Sequence, residues 1–211
     1  GRLVLFPRLA PGECYYHRSE RILAMRNAEG WVIRDDQNQW HDMAPCPGTP
    51  ETFLLKSIVD ANQNRIAVER DAQGRIIRVI GSDNVEYLFR NDQAGRIVEI
   101  ARRAGQAVQR LVSYAYDGQG HLITATDAEG ASFNYGYNAA HLMERETNRS
   151  GYAYHFRWDN PARRTQARCV ETWGDDGVFY RRLDYDPDAR STHETDGFGR
   201  VTAHWWNERG L

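Results

Sequence analysis

Tyr116-Asp117-Gly118-Gln119-Gly120-His121-Leu122 is the stretch whose reading decides the fold. An aromatic residue is followed by Asp, two variable residues, Gly or Ala, and a basic residue. Tyr137-Asn138-Ala139-Ala140-His141-Leu142 and Trp158-Asp159-Asn160-Pro161-Ala162-Arg163 read as further copies, and Asp117, Asn138 and Asp159 stand 21 residues apart. Upstream, Asp71-Ala72-Gln73-Gly74-Arg75 and Asp92-Gln93-Ala94-Gly95-Arg96 keep the same spacing. Downstream, Tyr185-Asp186-Pro187-Asp188-Ala189-Arg190 continues the series after a longer gap. A fixed period of this length marks an array of one repeated supersecondary unit, a scaffold rather than a catalyst.

Between the turns, apolar and polar residues alternate. Phe133, Tyr135 and Tyr137 alternate with Ser132, Asn134 and Gly136, which puts the rings on one face of a strand. The next unit sets Tyr152, Tyr154, Phe156 and Trp158 against Ala153, His155 and Arg157. Rings suit such strands because each covers cross-strand neighbours, worth about 0.2 to 1 kcal/mol per good pair. Asp or Asn starts each turn, where its side chain bonds the backbone ahead, and Gly closes it with a positive φ. A second turn falls half a unit later, as at Asp127-Ala128-Glu129-Gly130 and Asn148-Arg149-Ser150-Gly151, and others are expected at Asp60, Gly81, Asp196 and Glu208-Arg209-Gly210. The fold class is therefore all-β: tandem β-hairpin repeats over residues 52–211 forming a long antiparallel sheet. The longer gaps, Asp92 to Asp117 and Asp159 to Asp186, predict longer hairpin loops near Ala104-Gly105-Gln106 and Gly174-Asp175-Asp176-Gly177.

Residues 1–51 differ. Pro7, Pro11, Pro45, Pro47 and Pro50 predict irregular connections around short strands at Leu3 to Phe6, Ile22 to Arg26 and Trp31 to Arg34. Asn27-Ala28-Glu29-Gly30 reads as the first hairpin turn. This segment is a lead-in, an edge or cap that keeps a terminal strand from pairing with other chains.

A hydrophobic content of 41% permits a sizeable core, while a mean hydropathy of -0.72 keeps many repeat positions wet. The net charge of -2 provides no overall field to recruit nucleic acid or an anionic membrane. Three scattered cysteines make no disulfide framework, and no stretch approaches a membrane-spanning helix or a signal core. The opening at Gly1 and the stop at Leu211 read as a piece of a longer polypeptide. Arg outnumbers the one lysine, Lys56, and suits bidentate contacts on a sheet crowded with acids and rings.

Few residue groups suggest chemistry. Cys14, His17, His41 and Cys46 supply the donor set of a closed zinc site, but their spacing is unspecific, and partly buried cysteines with surface histidines are the preferred reading. Asp35-Asp36 and Asp175-Asp176 offer carboxylate pairs and read as solvated turn residues. Tyr180-Arg181-Arg182 and Ala101-Arg102-Arg103 are small basic patches that read as solvated sheet. His155, His193 and His204 lack a consistent nucleophile or acid companion. No catalytic residue and no cofactor are assigned. The structural repeat positions are Asp71, Gly74, Asp92, Gly95, Tyr116, Asp117, Gly120, Tyr137, Asn138, Trp158, Asp159, Tyr185 and Asp186.

Tyr-Asp-x-x-Gly-His/Arg-Leu/Ile, with a second Asp-x-x-Gly half a repeat later, resembles the YD repeats of bacterial Rhs (rearrangement hotspot) proteins over roughly residues 52–205. Asn138, Pro161-Ala162, Arg90-Asn91 and Ala189 are departures. The resemblance implies a curved sheet forming part of a hollow spiral shell, or cocoon, around a toxic C-terminal domain, in effectors exported by type VI secretion and in insecticidal toxin complexes. It further implies that the repeats themselves are not an enzyme. Family members release their cargo with an aspartyl autoprotease, and no segment here resembles that protease or a toxin domain. The partners implied are further repeats of the same parent or a second shell fragment, a toxin cargo, and a secretion-system spike or chaperone. The parent would be made in the bacterial cytoplasm and exported. The alternative is a carbohydrate- or protein-binding repeat module on a secreted or cell-surface protein.

Overall fold

The computed structural model describes residues 3–160, 162 and 164–208. Pro161, Arg163 and the turn expected at Arg209-Gly210 lie outside the described residues. The chain divides into two compact units, Gly1–Val112 and Ser113–Leu211, each an antiparallel meander.

The first unit opens with β1 (Cys14–His17), β2 (Ile22–Arg26), β3 (Trp31–Arg34), β4 (Trp40–Cys46) and β5 (Thr49–Val59). It continues with β6 (Arg65–Arg70), β7 (Ile76–Ile80), β8 (Glu86–Asn91) and β9 (Ile97–Ala104). β10 (Ala107–Tyr116) follows β9 through a tight turn at Gly105, and the division between the units falls inside it. The second unit then runs β11 (Leu122–Asp127), β12 (Ser132–Tyr137), β13 (Met143–Thr147) and β14 (Ala153–Trp158), followed by β15 (Cys169–Gly174), β16 (Arg181–Asp186), β17 (Ser191–Asp196) and β18 (Val201–Trp205). Neighbours in sequence are neighbours in the sheet, as in Ala125 opposite Phe133 and Leu183 opposite Glu194. Among the described residues, β1 to β9 in the first unit and β11 to β18 in the second pack chiefly against the next strand along, and a 3-10 turn at Asp175–Gly177 folds back over β14.

The hydrophobic content does not go into a sizeable core. Among the described residues the buried apolar side chains are Ala24, Ala101, Leu142 and Ala153, whereas Phe198, Trp205, Phe179 and Val201 are exposed. Hairpins that pair only edge to edge bury backbone and small side chains and leave large ones half covered. Arg serves this surface as a bidentate bridge. Arg78 donates to both Glu69 oxygens at 2.9 and 2.7 Å and to Glu86 at 3.2 Å, and Arg103 also donates to Glu86, joining four consecutive strands.

Four expectations are corrected. Leu3 to Phe6 is not a strand; Phe6 instead sets its ring against Tyr15 and His17, at 6.3 and 6.0 Å between centroids. The prolines near residue 47 do not break the sheet. Pro47-Gly48 makes a tight turn with Gly48 at φ +76, and Pro45 sits at a register shift, where a missing ladder donor is tolerated. The extra residues between Asp92 and Asp117 lengthen β9 to 8 residues and β10 to 10 rather than forming a long loop. The extra residues after Asp159 lie in the β14–β15 loop, where the Asp159 N–H reaches the Arg168 carbonyl; at Gly174 the turn has ordinary length, closing on Val178.

Candidate functional site

The repeated unit of this chain is a turn built around one carboxylate or carboxamide. At Asp71 the N–H donates to the Arg75 carbonyl at 2.9 Å and the Gly74 N–H donates back to the Asp71 carbonyl at 2.9 Å. The same pair of bonds closes the turns at Asp35, Asp60, Gly81, Asp92, Asp117, Asp127, Asn138, Asn148 and Asp196. The fourth residue of each takes the left-handed region: φ is +80 at Gly74, +82 at Gly95 and +90 at Gly120. Asp71 Oδ1 accepts the N–H groups of Gln73 and Arg75 at 3.0 and 2.9 Å, satisfying donors the tight turn strands. Asn138 Oδ1 does the same for Ala140 and Leu142, so Asn replaces Asp without breaking the turn.

Asp is used where the second oxygen has a side-chain donor to meet, the Asn64 amide at Asp60 and a basic residue at four other turns. Asp71 Oδ2 accepts from Arg75, Asp92 from Arg96, Asp117 from His121 and Asp196 from Arg200, all at 2.6 to 2.8 Å. Asn138 and Asn148 are followed at that position by Leu142 and Tyr152, and Asp127, followed by Ala131, takes Arg149 of the next half-unit at 2.9 Å. At Arg75, Arg96, His121 and Arg200 the basic residue of the repeat is thus the side-chain partner of its own turn's Asp, a role the sequence pattern marks by spacing alone.

These contacts set the acidity of the turns. The His121 side chain, with the backbone N–H groups of His121 and Gln119, holds the Asp117 carboxyl at about 2 against the opposing effect of burial. Asp92 is lowered by the Arg96 N–H first; at Asp71 and Asp196 burial works upward and is outweighed by bonds from Arg75 and Arg200. A carboxyl lowered in the folded state contributes stability that is present above its unfolded value of 3.8 and is lost as pH falls through its folded value. The expected denaturation midpoint therefore falls between 3.8 and about 2 as pH drops, and Asp92→Asn flattens that fall. A variant with an unchanged profile would remove the turn carboxylates as its cause.

The aromatic residue before the turn has a polar task as well. Trp158 Nε1 donates to the Met143 carbonyl at 2.8 Å, and the Tyr185 hydroxyl donates to the Cys169 carbonyl at 2.8 Å. Each partner carbonyl belongs to the first residue of the preceding strand. Tyr137 stacks on His121 at 4.6 Å, and Tyr116 ends β10 half-buried. Asp159 keeps the Oδ1 bond, to the Arg168 N–H at 2.8 Å, across its longer loop. Asp186 departs: Pro187 follows it, Oδ1 accepts from Ala189, and Arg190 takes the positive φ. His141 also departs from its sequence reading. It occupies the position of Gly120 rather than of His121, at φ +64, because its copy is one residue shorter.

The remaining candidates are dispersed. Among the described residues no three His, Cys, Asp or Glu side chains gather to hold a metal ion. His41 Nε2 meets Asp35 at 2.9 Å, Cys14 is exposed at the start of β1, His17 at its end bonds Ser19, and Cys46 lies where a side chain at Gly74 would touch it. Asp175 ties the fold together: its carboxylate accepts the Ala153 N–H at 2.8 Å and meets His155 Nε2 at 3.2 Å, with His155 stacked on Trp173. The basic patches are paired, Arg181 with Glu194, Arg182 with Asp184 and Arg103 with Glu86. No helix among the described residues is long and apolar enough to cross a membrane.

Comparison with known proteins agrees with this repeat. The RHS Repeat family model matches residues 92–132 and 116–153. The chain is 32% identical over 87% of its length to a probable deoxyribonuclease, RhsA, of Dickeya dadantii, and 32% identical over 88% to RhsB of the same organism. It spans 12% of the length of each. Double-stranded DNA deaminase toxin A of Burkholderia cenocepacia is 24% identical over 97% of the chain, which covers 14% of that protein. In fold, the chain is similar to the Tc holotoxin pore structure of Photorhabdus luminescens, with a TM-score of 0.59 and 12% identity over 90% of this chain and 12% of that one. Turn, period and sequence relatives together place the chain in the Rhs (rearrangement hotspot), or YD-repeat, family.

Proposed function

We propose that this chain is a wall segment of a shell that encloses a toxic C-terminal cargo of its parent protein until delivery to a competing or host cell. The observation that carries the reading is the poor covering of the sheet: pairing between consecutive strands leaves Phe198, Trp205, Phe179 and Tyr16 exposed, a surface suited to further repeats or to an enclosed, partly unfolded chain. The segment works sterically. Backbone ladders close the wall and deny the cargo its substrate, with no catalytic residue of its own. Residues 1–51 serve as its lead-in and 52–211 as the array, joined by more repeats of the parent or by a second fragment. Its relatives bear deoxyribonuclease and deaminase names, which fits a nucleic-acid-attacking cargo, and export of the parent by type VI secretion fits the same reading.

Protease protection tests it. In the full-length parent, the C-terminal region is expected to resist limited proteolysis, and a destabilising change in this segment, such as Gly30→Ala, is expected to expose it. Equal cleavage with and without that change would overturn the proposal. The exposed rings also suit a second reading, a module that grips glycan or protein on a target cell; saturable glycan binding by this chain, with the cargo region equally cleavable throughout, would favour it.

A further inference from the structure

The Asp117 and Asn138 turns are joined through two imidazoles. Asp117 Oδ2 meets His121 Nδ1 at 2.8 Å, and His121 Nε2 faces His141 Nδ1 in a direct hydrogen bond. The rings lie 4.5 Å apart, tilted by 55°. The His121 side chain is only 12% exposed and is stacked on Tyr137. Two ring nitrogens facing each other hold one proton between them. With both rings neutral, His121 Nδ1–H donates to Asp117, and His121 Nε2 accepts from His141 Nδ1–H. A first added proton goes to His141 Nε2 and leaves that bond in place. A second would go to His121 Nε2, setting two N–H groups and two positive charges against each other with one carboxylate to offset them.

We propose that Asp117, His121 and His141 form an acid-opened clasp between successive repeat turns, closed while the imidazole pair carries at most one added proton and released when both rings are protonated. Facing the pair, the β10–β11 turn contributes Asp117 and β12 contributes the Tyr137 phenol, with Tyr135 and Glu146 farther along β12 and β13; the second turn contributes the uncharged Asn138. Asp117, held at about 2, stays ionised at both pH values of the test below, so the carboxylate in contact with the pair keeps its charge throughout. The clasp depends on this geometry and not on what the segment encloses.

Amide hydrogen exchange of the whole chain at about pH 7.5 and about pH 4.5, on either side of the ordinary imidazole range, tests it. The His121 and Leu142 amides, bonded to Asp117 and Asn138, are expected to lose about tenfold in protection at the lower pH after correction for intrinsic rates. The Tyr152 amide, in the histidine-free Asn148 turn, is expected to change less than about twofold. His141→Asn is expected to abolish the loss, since Asn38 and Asn84 already occupy the same left-handed turn position. A loss of equal size at Tyr152, or in the variant, would overturn the clasp, as would no loss at His121 and Leu142.

Discussion

Gly30→Ala is expected to destabilise the chain by about 3 kcal/mol, read as a shift in denaturant midpoint at constant slope. Gly30 is buried at the end of the Asn27 turn, where Asn27 Oδ1 accepts its N–H at 2.6 Å and Arg26 donates to its carbonyl. A methyl built there overlaps the Met43 carbonyl oxygen and stands 3.0 Å from the Met43 carbonyl carbon. Both are backbone atoms of β4, opposite Trp31 in the β3–β4 register, so no rotamer change relieves the contact. The matched control is Gly118→Ala, where the added methyl meets nothing within 4 Å and φ is not positive. That change is expected to be neutral or to stabilise by about 0.5 kcal/mol through the unfolded chain. Equal effects at the two glycines would show that backbone approach at Gly30 is not what requires its lack of a side chain.

Gly174→Ala is expected to cost about 2 kcal/mol, for a reason that a second substitution isolates. Here the added methyl falls on the Tyr152 ring, 2.6 Å from Cζ and 2.9 Å from Cε1, while Tyr152 reaches over the turn that Asp175 anchors to β14. Side chain rather than backbone is in the way. In a Tyr152→Ala background the same glycine change is expected to cost less than about 0.5 kcal/mol. An undiminished cost in that background would locate the strain in the turn's backbone instead.

The contrast between these glycines measures how much of the molecule was legible from the amino acids. The turns at Asp71, Asp92, Asp117 and Asp127 were readable because each is local: the Asp side chain bonds donors two and four residues ahead, so period and composition carry the whole signal. Ile22–Arg26 and Trp31–Arg34 were likewise readable, as short apolar runs on either side of the turn expected at Asn27-Ala28-Glu29-Gly30. Gly30 and Gly174 were not, because what forbids a side chain there is Met43 or Tyr152, brought near by pairing rather than by sequence. Proline misled around residue 47 for a related reason: its cost depends on whether a ladder partner needs its N–H, and at the Pro45 register shift none does. The His141 position was misassigned because one missing residue in the Asn138 copy moves a histidine into the slot that glycine fills elsewhere, as its turn hydrogen bonds and positive φ show. The pairing of Asp71, Asp92, Asp117 and Asp196 with the Arg or His four residues ahead was present in the pattern, yet its meaning required knowing that Oδ1 is already occupied.

Because the strands within each unit pack chiefly against those before and after them, each unit is close to a one-dimensional lattice. The free energy of a unit is then approximately a sum of hairpin contributions and nearest-neighbour couplings, and ordering started at any of its hairpins spreads through that unit in either direction. Whole 21-residue units can be duplicated or lost with cost confined to the two junctions, whereas inserting or deleting one residue inside a strand inverts the facing of every side chain as far as the next bulge.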